Sequence, residues 1–146
     1  MYNKFLRIFL EKTYVIEDCW ELVDSSNPQS IVSQYYNTPV EITGKVKKNG
    51  TWGGTRLYGA DNSHNYVFLS QNSSNVHESE KIWYVVGSSW VNFKAIIGNN
   101  EVSLYINDSL IQTVTTDTSG QVRLWAGSTA NPVSLDGVKI KKIKAL

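Results

Sequence analysis

The chain has 146 residues, a net charge of +1 and a charged fraction of 18%. That length fits one domain with a sizeable core, burying roughly 68–70% of the surface its unfolded form exposes. The near-zero charge excludes electrostatic steering towards nucleic acid or an acidic membrane, and no stretch approaches the roughly 20 apolar residues of a membrane-spanning helix.

The first segment, "MYNKFLRIFLEK", places Tyr2, Phe5, Leu6, Phe9 and Leu10 at the spacing of one face of a short amphipathic helix. Its apolar run is too short for a secretory signal. Residues 1–12 are therefore set apart as a segment that caps the core or docks onto another subunit. Residues 13–146 are assigned to a single β-sandwich domain. From residue 13 onward strand-like runs follow at short intervals: 13–23, 30–36, 40–48, 54–60, 65–71, 81–87, 90–98, the hairpin 101–114, 120–127 and 133–146. Five Trp and eight Tyr support that all-β reading. A surface built from Ser, Thr, Asn and Gln is associated with extracellular, cell-surface or virion settings.

Local features sharpen the pattern. The only cysteine, Cys19, rules out an internal disulfide and reads as a small buried hydrophobe. Asn49-Gly50 in "VKKNGTW" is the strongest short hairpin signal in the chain. Gly98-Asn99-Asn100 marks a second turn, where positive φ is tolerated. Val102, Leu104 and Ile106 alternate with polar neighbours, and Leu110 to Val114 run back, so a half-buried strand pair is expected. Lys139, Lys141, Lys142 and Lys144 in the last run are expected to face solvent and blunt a strand edge. Many short strands at this spacing mean a sandwich or barrel.

The stretches "SSWVNFKAIIGNNEVSLYINDSLIQTV" and "GQVRLWAGSTANPVSLDGVKIKKI" carry a more specific pattern. Trp90 opens an alternating strand, a tight turn lies in "YIND", a Gly-led strand runs from Gly120, and the closing strand begins near Asp136. Residues 88–143 in this respect resemble the C-terminal half of a concanavalin A-like domain, the laminin-G and lectin/glucanase jelly-roll superfamily. The resemblance implies a two-sheet antiparallel β-sandwich in which the outer, concave face of one curved sheet is a ligand platform. One departure is Asp108, where the family usually has Gly, which points to another turn type.

The superfamily includes glycoside hydrolases, which need two carboxylates about 5–10 Å apart. "EDCWE" offers Glu17, Asp18 and Glu21 but puts Cys19 at the middle of the required pattern. "HESEK" offers Glu78 and Glu80 in a loop-like stretch. There is no nucleophile elbow, phosphate loop or paired Cys/His metal spacing, and His64 and His77 stand alone in polar loops. No catalytic residue, metal site or cofactor is therefore assigned.

Binding is the better expectation. On residues 54–60 Leu57 opposes Arg56 and Tyr58, and on 120–127 Val122, Leu124 and Ala126 suit the core, leaving Arg123 and Trp125 on the other face. Trp83 opposes Ile82 and Tyr84, and the pattern does not say which side is inside. Arg56, Tyr58, Trp83, Arg123 and Trp125 are the candidate ligand-binding set. Asp61 and Asn62, in the polar loop "YGADNSHNY", are added as oxygen-bearing neighbours too few for a calcium site. Asn49, Asn72 and Asn107 begin glycosylation sequons, which chance explains in so Asn- and Ser-rich a chain. The expected function is a non-catalytic module that recognises a glycan or another cell-surface ligand, with no nucleic-acid partner. The alternative is a structural component of a virion or surface layer, assembled as an oligomer through the N-terminal segment.

Overall fold

The computed structural model describes residues 14–23, 31–32, 34–50, 53–59, 65–72, 80–126 and 133–145. All regular structure in them is β. The strands are β1 (Tyr14–Val23), β2 (Ile31–Val32), β3 (Tyr36–Asn37), β4 (Val40–Lys47), β5 (Gly54–Gly59), β6 (Asn65–Ser70), β7 (Glu80–Val85), β8 (Val91–Gly98), β9 (Glu101–Ile106), β10 (Ser109–Thr115), β11 (Gln121–Ala126) and β12 (Ser134–Ala145). The amphipathic helix expected in residues 1–12 lies outside the described residues.

The strands form two sheets. One runs β1-β12-β4-β8-β9-β10, and the other β2-β11-β5-β6-β7 with β3 also on β11. Their facing sides make one core. Val40, Ile42 and Val46 of β4, Ala95 and Ile97 of β8, Val102 and Leu104 of β9 and Ile140 of β12 meet Leu57, Val67, Leu69, Ile82, Val122 and Leu124 from the second sheet. Burying each aliphatic side chain of this kind contributes roughly 1.5–3 kcal/mol. The pairing is antiparallel except between β6 and β7, which run parallel, so the expected antiparallel two-sheet sandwich holds with one parallel pair in it.

The turns show which local signals governed pairing. Asn99 and Asn100 adopt φ of 55° and 62° and join β8 to β9, and Asn107 and Asp108 adopt 49° and 66° and join β9 to β10. Two central residues at positive φ form the mirror-image turn that matches strand twist. Asp108 therefore takes the left-handed conformation that Gly would take more cheaply.

Asn49-Gly50 is different. It makes no hairpin, because β4 and β5 belong to different sheets. The backbone N–H groups of Asn49 and Gly50 instead donate to Gln71 Oε1, at 2.6 and 2.7 Å, where the chain crosses between the sheets. A buried side-chain amide here replaces the ladder that a hairpin would supply.

Three further expectations are corrected. β12 lies between β1 and β4 and is no edge strand, so its lysines do not blunt one. Lys141 donates to Glu41 Oε1 at 3.2 Å, and Lys139, Lys142 and Lys144 are exposed. Cys19 is exposed rather than buried, because β1 is the outermost strand and is exposed from Val15 to Cys19. The returning strand of the hairpin, β10, is the opposite edge. A bulge at Ile111 breaks its alternation and leaves Leu110 and Ile111 exposed, while Val114 packs on the core.

Tyr14 of β1 donates its hydroxyl to Glu41 Oε2, across β12. Burial, followed by the Glu41 hydrogen bond and charge, pushes Tyr14 above the usual tyrosine range. The proton is thus held more tightly in the folded state than in the unfolded one. The stabilisation is complete below the unfolded tyrosine pKa of about 10 and is lost as pH rises beyond it. Denaturation in urea is expected to show stability falling between about pH 10 and 12. The Tyr14→Phe variant is expected to fall less steeply over that interval.

Candidate ligand-binding face

The outer face of the second sheet gathers the aromatic and cationic side chains. Cross-strand register sets two rows. Arg123 lies opposite Tyr58, and Tyr58 opposite Asn65, which neighbours Glu80. Trp125 lies opposite Arg56, Arg56 opposite Phe68, and Phe68 beside Trp83. Neighbouring strands are about 4.8 Å apart, so side chains one strand apart on one face touch.

Each arginine sits between rings. The Arg56 guanidinium carbon is 4.3 Å from the Phe68 ring centroid and 5.2 Å from that of Trp125. The Arg123 guanidinium carbon is 4.8 Å from the Tyr35 centroid and 4.8 Å from the Tyr58 centroid. Such contacts are worth about 0.5–2 kcal/mol each, depending on desolvation.

The electrostatics of the two arginines differ. Arg56 Nε donates to Glu80 Oε1 at 3.0 Å, with the Glu80 side chain only 2% exposed. Arg123 has no hydrogen-bond or ion-pair partner among the described residues, and its Nε is buried. Two more buried polar atoms on this face are unpartnered there, Trp83 Nε1 and Glu80 Oε2. Leaving a buried polar group unsatisfied costs about 1–3 kcal/mol.

Five residues expected from sequence to share a face, Arg56, Tyr58, Trp83, Arg123 and Trp125, do so. Asp61, Asn62 and His64, and the separate Glu78 and His77, lie outside the described residues. The face is more recessed than an open platform. Phe68 is wholly buried and Tyr58 is buried, while Arg56, Trp83, Arg123 and Trp125 keep partial exposure.

Sequence reasoning missed Glu80, Phe68 and Tyr35. Glu80 was read as loop-like, yet it opens β7, and period-two alternation gave no signal for it, since it would set Glu80 on the inward side of Ile82 rather than against Arg56. Phe68 gave no signal, because a bulge at Tyr66 and burial on both faces erase the period-two pattern of β6. Within the expected strand 30–36, Gln34 and Tyr35 lie outside any strand, between β2 and β3. Their segment has one more residue between Val32 and Tyr36 than β11 has between Trp125 and Val122. Tyr35 falls in this interruption, against Arg123.

A separate cleft of about 430 Å³ opens on the outer face of the first sheet, lined in part by Lys45, Lys94, Tyr105, Asp136 and Lys139. Lys94 Nζ stands 4.6 Å from the Tyr105 centroid. None of the residues expected to bind ligand lines it. Among the described residues no group of three His, Cys, Asp or Glu side chains could hold a metal ion, and no helix is long and apolar enough to cross a membrane.

Comparison with known proteins places the fold. No family model matches the sequence, and no curated protein matches it. Among solved structures, one from Parabacteroides distasonis ATCC 8503, named only provisionally as a glycosyl hydrolase, has a TM-score of 0.55 at 10% identity. It covers 80% of this chain and 84% of its own. The carbohydrate binding module CBM66 from Bacillus subtilis has a TM-score of 0.51 at 11% identity, covering 90% and 96%. The catalytic domain of PdAgaC scores 0.51 at 8% identity, covering 92% and 75%. This chain is thus an all-β, two-sheet sandwich of the jelly-roll kind that these proteins share.

Proposed function

We propose that this domain is a non-catalytic recognition module of the concanavalin A-like kind, which binds a glycan on the outer face of the second sheet. The observation that carries the reading is the convergence of Arg56, Tyr58, Trp83, Arg123 and Trp125 on one face, with a buried Glu80 among them. Sugars present apolar C–H faces that stack on aromatic rings and hydroxyls that need fixed donors and acceptors. Here the partly exposed Trp83 and Trp125 rings supply the first need, and the partly exposed Arg123 guanidinium supplies a donor for the second. Similarity in fold to a carbohydrate binding module supports the reading, but fold assigns no site by itself.

The same face supports binding over hydrolysis. A glycosidase needs two carboxylates about 5–10 Å apart. The described strands of this face supply one, Glu80, and its Oε1 already accepts from Arg56.

A glycan array with the full chain tests the proposal, followed by titration of each hit. Trp125→Ala is expected to weaken binding at least ~10-fold, since ring stacking contributes on the order of 1–2 kcal/mol, with the fold retained by circular dichroism. Tyr105→Ala, in the cleft of the first sheet, is expected to leave affinity unchanged. Loss of binding in Tyr105→Ala but not in Trp125→Ala moves the site to the other sheet and overturns the assignment.

A further inference from the structure

We infer that the glycan recognised on this face is acidic, and that its carboxylate pairs with Arg123. The inference rests on the glycan-binding reading and specifies its ligand. Two arginines stand one row apart, each flanked by two aromatic rings. Arg56 has its acid in Glu80, contacted through Nε at 3.0 Å. Arg123 has none among the described residues, and its Nε is a buried donor without an acceptor. The pair acts as an internal comparison. Among the described residues, the same side chain between two rings carries a carboxylate at one position and lacks it at the other.

A guanidinium held out of bulk water is stabilised by an anion. Its planar fork matches the two oxygens of a carboxylate better than it matches a neutral hydroxyl. The Tyr35 and Tyr58 ring centroids each lie 4.8 Å from the Arg123 guanidinium carbon. With Nε buried, the Nη–H groups are the donors that a ligand meets. A carboxylate on those Nη–H groups gives Arg123 the acid that Glu80 gives to Arg56.

The remaining groups fit the rest of such a sugar. The partly exposed Trp83 and Trp125 side chains offer ring surface on which the sugar's C–H faces stack. Glu80 and Arg123 lie three strands apart in one row, about 14 Å between backbones. At that separation the ligand's carboxylate avoids the Glu80 charge, and an oligosaccharide rather than a single sugar spans both ends.

Four probes separate the outcomes: oligogalacturonate, its methyl ester, dextran sulfate and a neutral galactan, each titrated against the full chain by calorimetry. Oligogalacturonate is expected to bind at least ~10-fold tighter than its methyl ester, the increment of a charge-assisted hydrogen bond, and to weaken with added salt. Arg123→Gln is expected to abolish that difference while keeping residual affinity for the ester. Arg123→Lys, which keeps charge but loses the fork, is expected to restore only part of it. Thermal melting of both variants checks that they fold. Equal binding of acid and ester, unchanged in Arg123→Gln, overturns the inference and leaves the glycan reading standing. Binding of dextran sulfate alone overturns the carboxylate assignment. If no hit on the array or among the four probes binds, both readings fall.

Discussion

Arg56→Ala is expected to lose about 3–5 kcal/mol of folding stability, the cost of removing one partner from a buried ion pair. Against a typical total of about 5–15 kcal/mol, that is a large share. The physical cause is Glu80. Its side chain is 2% exposed and its partner among the described residues is Arg56, so the truncation strands a carboxylate away from water. Contacts of the Arg56 guanidinium with Phe68 and Trp125 are lost with it. Urea denaturation monitored by Trp fluorescence measures the loss. Arg56→Met combined with Glu80→Gln removes both charges together and is expected to recover most of it. If the single and double variants are equally unstable, the ion pair is not the cause, and lost packing against the two rings takes its place.

Gly54→Ala is expected to cost about 3 kcal/mol, the upper part of the range for forcing atoms into a packed site. A Cβ at Gly54 would sit 2.1 Å from the carbonyl oxygen of Leu69 and 2.8 Å from Phe68 Cε1. The first of these is backbone, so relief requires β5 and β6 to part where Gly54 pairs with Ser70. The second is the ring beneath Arg56, so the strain reaches the binding face. The variant is expected to lower both the denaturation midpoint and glycan affinity. Gly87→Ala, where an added Cβ meets nothing within 4 Å, is the matched control and is expected to be near neutral.

These two effects show how unevenly the molecule is written into its sequence. Arg56 was placed on the correct face by alternation with Leu57, a two-residue signal that needs no knowledge of the partner strands. Glu80, which determines what Arg56 does, was read as loop. It reaches Arg56 only because β7 joins the sheet as a parallel neighbour of β6, and parallel pairing leaves no turn in the sequence to announce it. Gly54 was read as the start of a strand, but its close approach to Leu69 and Phe68 depends on two strands meeting. Cys19 and the last lysines were misread for a related reason. A strand's own residues do not say whether it is the edge or the interior of its sheet.

By itself the sequence determined where most of the strands lie, the all-β class, the two tight turns at Asn99-Asn100 and Asn107-Asp108, and the outward side of Arg56, Tyr58, Arg123 and Trp125. All of these are local, resting on period-two alternation and on residues that tolerate positive φ. Only the tertiary structure decided that Asn49-Gly50 crosses between sheets, that β12 is interior, that the outer face is recessed, and that of two stacked arginines one has an acid among the described residues and the other has none there. Each of these depends on contacts between residues distant in sequence, and a segment's own pattern carries no record of which distant segment it will meet.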